Sequence, residues 1–231
     1  MAHEVSVVIP ALNEAENIGA VVREMPWNLI RECIVVDNGS TDATAAEATA
    51  AGAKVVPAPL RGYGRACAAG AAAADDESDI LVFMDGDGSD VPAEMGQLLQ
   101  PILTGDCDFV IGSRMRGRRE PGSMLASQMF AGWLAGVLLK LLYRVSYTDM
   151  GPFRAIKRES LNRLHMREET YGWNLEMQMR AAQSGLRIRE IPVSCRKRAG
   201  GLSKVAGSLS GSLRAAIRIV QTLLRVASTS S

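Results

Sequence analysis

Two aspartates one residue apart, Asp85 and Asp87, follow the apolar run Ile80 to Met84. Carboxylates so close together can reach one hard cation, and magnesium or manganese favours one or two carboxylates supplemented by phosphate oxygens. Gly86 between them would remove bulk where a ligand approaches and let the chain turn sharply. An acidic surface turn would read the same way, so the neighbouring polar clusters matter. Asp37 ends the run Cys33 to Val36 and opens Asn38-Gly39-Ser40-Thr41-Asp42. Its carboxylate could accept hydrogen bonds from a base or ribose, while Ser40, Thr41 and Asp42 offer helix caps. Asn13-Glu14 follows the run Val5 to Ile9, where a glutamate would also suit the positive end of a helix. A fourth cluster, Arg114-Met115-Arg116-Gly117-Arg118-Arg119, follows Phe109 to Ile111.

The elements that must position these clusters alternate. Val5–Ile9, Cys33–Val36, Lys54–Val56, Ile80–Met84 and Phe109–Ile111 are short, apolar and rich in β-branched residues, which predicts strands. Between them, helical spacing is expected over Ala15–Glu24, over an alanine-rich segment ending at Gly52, over Gly64–Ala74, and from Pro92 to Leu103. Strand and helix in alternation predict an α/β fold, a mostly parallel central sheet flanked by helices. In such sheets ligands gather beyond the carboxyl ends of the strands, where all four polar clusters fall. The second half is less regular. Met124–Tyr143 is apolar nearly all round, with Ser123 as its expected cap. Phe153–Lys157 and Arg187–Val193 read as strands, and Trp173–Ser184 as a helix ending at Gly185. Residues 200–211 are rich in glycine and serine and are expected to form a loop. Leu213–Ala227 reads as an amphipathic helix with Arg214, Arg218, Gln221 and Arg225 on one stripe.

The whole chain of 231 residues carries a formal charge of +1, which argues against a global field for nucleic acid. Its 47% hydrophobic content suffices for a large core. Four cysteines, Cys33, Cys67, Cys107 and Cys195, have neither C-x-x-C nor zinc spacing and are expected to be reduced and buried. No secretory leader is evident. The longest apolar stretch, Met129–Leu142, is interrupted by Lys140 and falls short of the roughly 20 residues that span a bilayer. The expected location is cytoplasmic, possible contact being peripheral, on the inner face of the membrane.

Val7-Val8-Ile9-Pro10-Ala11-Leu12-Asn13-Glu14, Val35-Val36-Asp37-Asn38-Gly39-Ser40-Thr41-Asp42 and Met84-Asp85-Gly86-Asp87 together resemble the family 2 glycosyltransferases of GT-A fold. Arg61-Gly62-Tyr63-Gly64, Gly112-Ser113-Arg114, Asp149-Met150-Gly151-Pro152-Phe153-Arg154 and Gly201-Leu202-Ser203-Lys204 narrow the resemblance to polyprenyl- or dolichyl-phosphate sugar synthases, over about residues 5–205. The resemblance implies one catalytic domain over 1–205, with the nucleotide-sugar and metal half in 1–115 and the acceptor half in 116–205, followed by an amphipathic helix and tail in 206–231. It implies that Pro10, Ala11, Asn13, Glu14, Asp37, Asn38 and Gly62 line the nucleotide. Asp85, Gly86 and Asp87 would form the metal site, with Mg2+ or Mn2+ held by the two carboxylates on the diphosphate. Lys204 would lie on a loop that closes over a phosphate. Relatives often carry a glutamine two residues after the second aspartate; here Ser89 stands there, followed by Asp90, which leaves the third metal ligand open.

The acceptor is argued from what is missing. Transfer to a neutral hydroxyl benefits from a general base. The chain has two histidines, His3 and His165, neither in a motif. A phosphate monoester is already largely ionised at neutral pH and needs charge neutralisation instead. Arg114, Arg116, Arg118, Arg119, Arg154, Arg196, Lys197 and Arg198 could supply it, with Arg114 and Arg154 favoured by their motifs. The leading expectation is therefore an inverting hexosyltransferase from UDP- or GDP-hexose to a polyprenyl phosphate, with Asp87, Arg114 and Arg154 in the catalytic set. A glycan hydroxyl or small molecule as acceptor is the alternative and would make Glu176 the base. A non-catalytic nucleotide-sugar scaffold and a dinucleotide oxidoreductase are weaker readings; Gly62-Tyr63-Gly64 with Gly70 misses the G-x-G-x-x-G spacing. The two apolar helices would serve a lipid interface, a separate membrane partner, core packing or a homodimer contact.

Overall fold

Seven strands form one sheet in the computed structural model, which describes residues 4–200. In chain order they are β1 (Val5–Ala11), β2 (Glu32–Asp37), β3 (Lys54–Pro57), β4 (Ile80–Phe83), β5 (Phe109–Ser113), β6 (Arg154–Lys157) and β7 (Ile188–Pro192). The helices are α1 (Ile18–Arg23), α2 (Thr44–Ala50), α3 (Tyr63–Ala73), α4 (Met95–Leu103, entered through a 3-10 turn at Pro92–Glu94), α5 (Ala126–Tyr143), α6 (Arg158–Leu164) and α7 (Trp173–Gln183). The spatial order is β3-β2-β1-β4-β6-β5-β7. The chain steps outward from β1 to β2 and β3, then returns through α3 to put β4 on the other side of β1. That reversal makes the β1/β4 boundary the switch point where a crevice must open.

The period-2 alternation of the strands decides which helices pack where. From β1, Val5, Val7 and Ile9 face one layer with Ile18, Val21 and Val22 of α1 and Leu98 and Ile102 of α4. Val8 faces the other, with Ala66 and Cys67 of α3, Leu139 of α5 and Trp173 and Met177 of α7. Phe83 meets Trp173 edge to face at 6.3 Å, pinning α7 under β4. All four cysteines are free and buried.

Four features depart from the expected pattern. β6 runs antiparallel to both neighbours, Phe83 opposite Arg154 and Ile111 opposite Arg154 from the other side. Helix α6, unassigned from sequence, follows β6 directly and ends at His165 in left-handed conformation. Helix α1 begins at Ile18 rather than Ala15, because Glu14–Asn17 form a turn in which the amides of Asn17 and Ile18 both donate to the Glu14 carbonyl at 2.9 Å. Ser123 does not cap α5; Gln128 Oε1 accepts from the Leu125 amide at 2.9 Å. The predicted segments from residue 201 onward, including Lys204 and the Leu213–Ala227 helix, lie outside the described residues.

Among the described residues no helix is long and apolar enough to cross a membrane. Helix α5 is nevertheless inverted relative to an ordinary surface helix. Its small residues Ala135 and Gly136 and one leucine, Leu139, pack inward, while Phe130 (62% exposed), Trp133, Leu134, Leu141 (76% exposed) and Leu142 face out.

Candidate active site

The carboxyl ends of β1, β2 and β3 align in register, Ala11 opposite Asp37 and Asp37 opposite Pro57. Just beyond, Asn13 takes a left-handed conformation (φ 50°) and is stitched to the β2–α2 loop. Its Oδ1 accepts from the Thr41 amide at 2.8 Å, and its own amide donates to Ser40 Oγ at 3.0 Å. Asp37 Oδ1 accepts from the Ser40 amide at 2.9 Å. The expected caps thus divide their work: Asp42 alone reaches the start of α2, at Thr44, while Ser40 and Thr41 hold Asn13. Pro10 and Ala11 complete the rim, Pro10 partly exposed and Ala11 buried.

Asn38 is buried, and its amide is consumed by the fold. Nδ2 donates to the carbonyls of Ala58 (2.9 Å) and Leu60 (3.0 Å), and Oδ1 accepts from the Gly62 amide at 2.7 Å. It braces the loop into α3. Gly62 and Gly64 are needed there because the backbone of residues 168–169 presses against them. A side-chain carbon on either would run into the carbonyl of Glu169 or Glu168. This seating aims Tyr63 at the paired aspartates, its hydroxyl donating to Asp85 Oδ1 at 3.2 Å.

Three carboxylates then crowd the end of β4. Burial, with Asp87 and Asp90 adding to it, pushes the Asp85 carboxyl well above the usual range. Asp90, unassigned a role from sequence, is 1% exposed; its Oδ2 accepts from the Asp85 amide at 3.0 Å, while among the described residues its buried Oδ1 has no hydrogen-bond partner. Burial raises Asp90 to about 7. Asp87 Oδ1 accepts from the Ser89 amide at 3.0 Å, and its Oδ2 receives Arg198 Nη1 at 3.2 Å. Arg198 also grips both oxygens of Glu14. Among the described residues no three His, Cys, Asp or Glu side chains form a metal cage. A pair of hard carboxylates, one already holding a cationic side chain, fits a divalent ion whose other ligands are phosphate oxygens and water.

Arg114 stands beside this cluster, tied to Asp149 through Nε (2.8 Å), Nη2 (2.9 Å) and its backbone amide (2.9 Å). Burial pushes the Asp149 carboxyl up, and the Arg114 guanidinium outweighs it, leaving Asp149 below its ordinary value. Further along, Arg118, Arg119, Glu120 and Ser194 line a cleft of about 460 Å³. Among the described residues the exposed Arg118 guanidinium has no ion-pair or hydrogen-bond partner. Arg119 Nη1 donates to Met129 Sδ, in the first turn of α5, at 2.9 Å. Arg116 bonds the Glu190 carbonyl, and Arg196 turns away to Glu24.

Three expectations need correction. Gly86 faces the core rather than a ligand; a side-chain carbon there would meet Ile18 at 3.0 Å and Ile9 at 3.1 Å. Arg154 is fully buried beneath the site, bonding the carbonyls of Gly151 and Asn174 and lying over the Phe109 ring, so no acceptor phosphate reaches it in this conformation. Glu176 is 0% exposed, its Oε2 taken by the amides of Arg167 (2.9 Å) and Glu168 (2.6 Å) and its Oε1 by Arg180. It clamps the segment that seats Gly62 and Gly64, and is not presented to an acceptor as a base.

Comparison with known proteins bears on what this arrangement does. The model of the family described as "Glycosyl transferase family 2" matches residues 6–165. An uncharacterized glycosyltransferase of Mycobacterium tuberculosis is 37% identical over 211 residues, covering 90% of this chain and 93% of that protein. Undecaprenyl-phosphate mannosyltransferase of Micrococcus luteus is 30% identical over 226 residues, covering 90% and 89%. Among solved structures, glucosyl-3-phosphoglycerate synthase from M. tuberculosis, in complex with Mn2+, UDP and glucosyl-3-phosphoglycerate, superposes with a TM-score of 0.76 at 27% identity, covering 98% of this chain and 80% of that one. The switch-point crevice, the paired aspartates and these likenesses agree: the chain belongs to glycosyl transferase family 2 and is a nucleotide-sugar glycosyltransferase of GT-A fold.

Proposed function

We propose that this enzyme transfers a hexose, with inversion, from UDP- or GDP-hexose to a polyprenyl phosphate. The observation that carries the reading is the junction of the arginine cluster with α5. Arg119 meets the first turn of a helix whose bulky apolar side chains face outward, and Arg118 lines the adjoining cleft. No Asp or Glu occurs from residue 121 to 148. An anionic head group with an apolar tail matches both halves of that surface, and a peripheral membrane contact, directly or through a membrane partner, would bring it there. The likeness to undecaprenyl-phosphate mannosyltransferase supports the same class of acceptor.

The residues divide the work. Pro10, Ala11, Asn13 and Asp37 rim the nucleotide, and Asp85 and Asp87 hold the Mg2+ or Mn2+ ion. The ion, when bound, neutralises the diphosphate leaving group. Tyr63 fixes Asp85, and Arg114, held by Asp149, presents positive charge beside the pair. A phosphate acceptor arrives ionised, so it needs no base from Glu176. Lys204 is assigned to a donor phosphate.

A second reading takes a small phosphorylated acid as acceptor, because the same arginines would hold it; the glucosyl-3-phosphoglycerate synthase likeness favours it. One experiment separates the two. UDP-glucose, UDP-N-acetylglucosamine and GDP-mannose, each labelled in the sugar, are incubated with manganese or magnesium and either a polyprenyl phosphate or phosphoglycerate, with EDTA as control. Metal-dependent label in the organic extract is expected from one donor. Label confined to the aqueous phosphoglycerate product would overturn the lipid reading.

A further inference from the structure

Arg198 lies between two acidic residues that come from opposite sides of the crevice. Its Nη1 donates to Asp87 Oδ2 at 3.2 Å, its Nη2 grips both Glu14 oxygens, and its Nε donates to the Gly200 carbonyl at 2.6 Å. All three side chains are largely shielded, with 19% of Arg198, 8% of Glu14 and 20% of Asp87 exposed. The contact is built rather than incidental. Asn17 Nδ2 donates to Glu14 Oε2 (3.1 Å) and to the Gly200 carbonyl (3.2 Å), so one side chain ties the carboxylate to the backbone two residues after Arg198. Upstream, the Arg196 amide donates to the Ser89 carbonyl at 2.8 Å, tying this segment to the loop that carries Asp87.

We infer that Arg198 is an internal counter-cation of the metal subsite: it bridges Glu14 and Asp87 when no divalent ion is bound, and releases Asp87 when the ion arrives with its nucleotide diphosphate. The inference rests on the metal-dependent reading above. A divalent ion and a guanidinium cannot share one carboxylate oxygen without repulsion at close range. An ion arriving alone must displace Arg198 from Asp87. An ion arriving with a diphosphate brings anionic oxygens that give the displaced guanidinium a new partner. The enzyme should therefore take up the ion far better as the nucleotide complex, through Arg198 itself.

Calorimetric titration of manganese into the intact chain tests this, without nucleotide and with saturating UDP. Arg198→Gln should bind manganese alone about tenfold tighter than the unaltered protein, because an unopposed carboxylate replaces an occupied one. The advantage conferred by UDP should shrink accordingly. Arg196→Gln, which removes the same charge two residues away from its pair with Glu24, should bind as the unaltered protein does. If Arg198→Gln binds manganese alone no tighter, the inference is wrong, and Arg198 merely belongs to the anion site. Should that variant fail to fold, Arg198→Lys, which keeps the charge but cannot fork across both carboxylates, should still bind more tightly, and unchanged or weaker binding again overturns the idea. Absence of manganese binding even with UDP would instead sink the metal-dependent reading, and this inference with it.

Discussion

Arg114 and Arg118 stand four positions apart with equal charge, and their surroundings give them different work. Arg114 is locked on Asp149, which is 3% exposed, by two side-chain bonds and one from the backbone. Arg118 is exposed on the wall of the cleft. Replacing Arg114 by alanine would strand a buried carboxylate and should cost about 3 kcal/mol of stability. Arg118→Ala should stay within about 0.5 kcal/mol of the unaltered protein, while raising the KM for the phosphate acceptor about tenfold, as loss of a charge-assisted contact would. Thermal melts and steady-state kinetics on both variants check the pair of expectations; an Arg118 variant with unaltered acceptor KM would remove the cleft from the acceptor site. Asp90 shows the same dependence on surroundings. As a letter it is one more acid after Asp87, whereas in the fold its Oδ2 orders the Asp85 amide and its Oδ1 lies buried.

At the scale of elements, the sheet has one joint that repetition of strand and helix would not build. β6 enters antiparallel between β4 and β5, and β7 then pairs parallel with β5. Asp108, at the entry to β5, fastens this joint. It accepts from Arg187 Nε (3.0 Å) and Nη2 (2.7 Å), just before β7, and from Lys157 (3.1 Å) at the end of β6. The Arg187 guanidinium, aided by Lys157, holds the Asp108 carboxyl well below the usual carboxylate range. A depressed pKa in the fold means stability that is present above the ordinary carboxylate pKa near 4 and lost as the pH falls below it. Because Arg187 is half exposed, solvent screening keeps the pair's contribution to stability small. Asp108→Asn should lower Tm measurably at neutral pH, and the gap to the unaltered protein should close in melts below about pH 4. A gap that persists there would mean the charge is not what fastens the joint.

For the whole molecule, donor and metal should be linked to folding, because the crevice draws on β1, β2 and β4 at once. A ligand at about 100 times its dissociation constant adds about 2.7 kcal/mol, or about 5–10 °C in Tm for a chain of this size. Manganese with UDP should give a rise of that order, manganese alone much less, and EDTA should cancel it. A rise with UDP that EDTA leaves intact would place the nucleotide without the ion.

What the sequence by itself determined is local. Strand and helix periods, with polar clusters just after apolar runs, are properties of neighbours in the chain. They were enough to place Asn13, Asp37, Asp85 and Asp87 at the carboxyl ends of a mostly parallel sheet, while the family was carried by the resemblance of the motifs there. Only the tertiary structure decided what each polar side chain meets. Glu176 and Arg154 read as acceptor chemistry but are fully buried, and Gly86 faces Ile9 and Ile18. Helix α5 turns its bulky side outward, which its nearly uniform apolar sequence could not show. Arg198 reaches Glu14 across 184 residues and Asp87 across 111. No periodicity encodes such pairings, because desolvation and charge partners are set by distant segments that meet only once the core has packed.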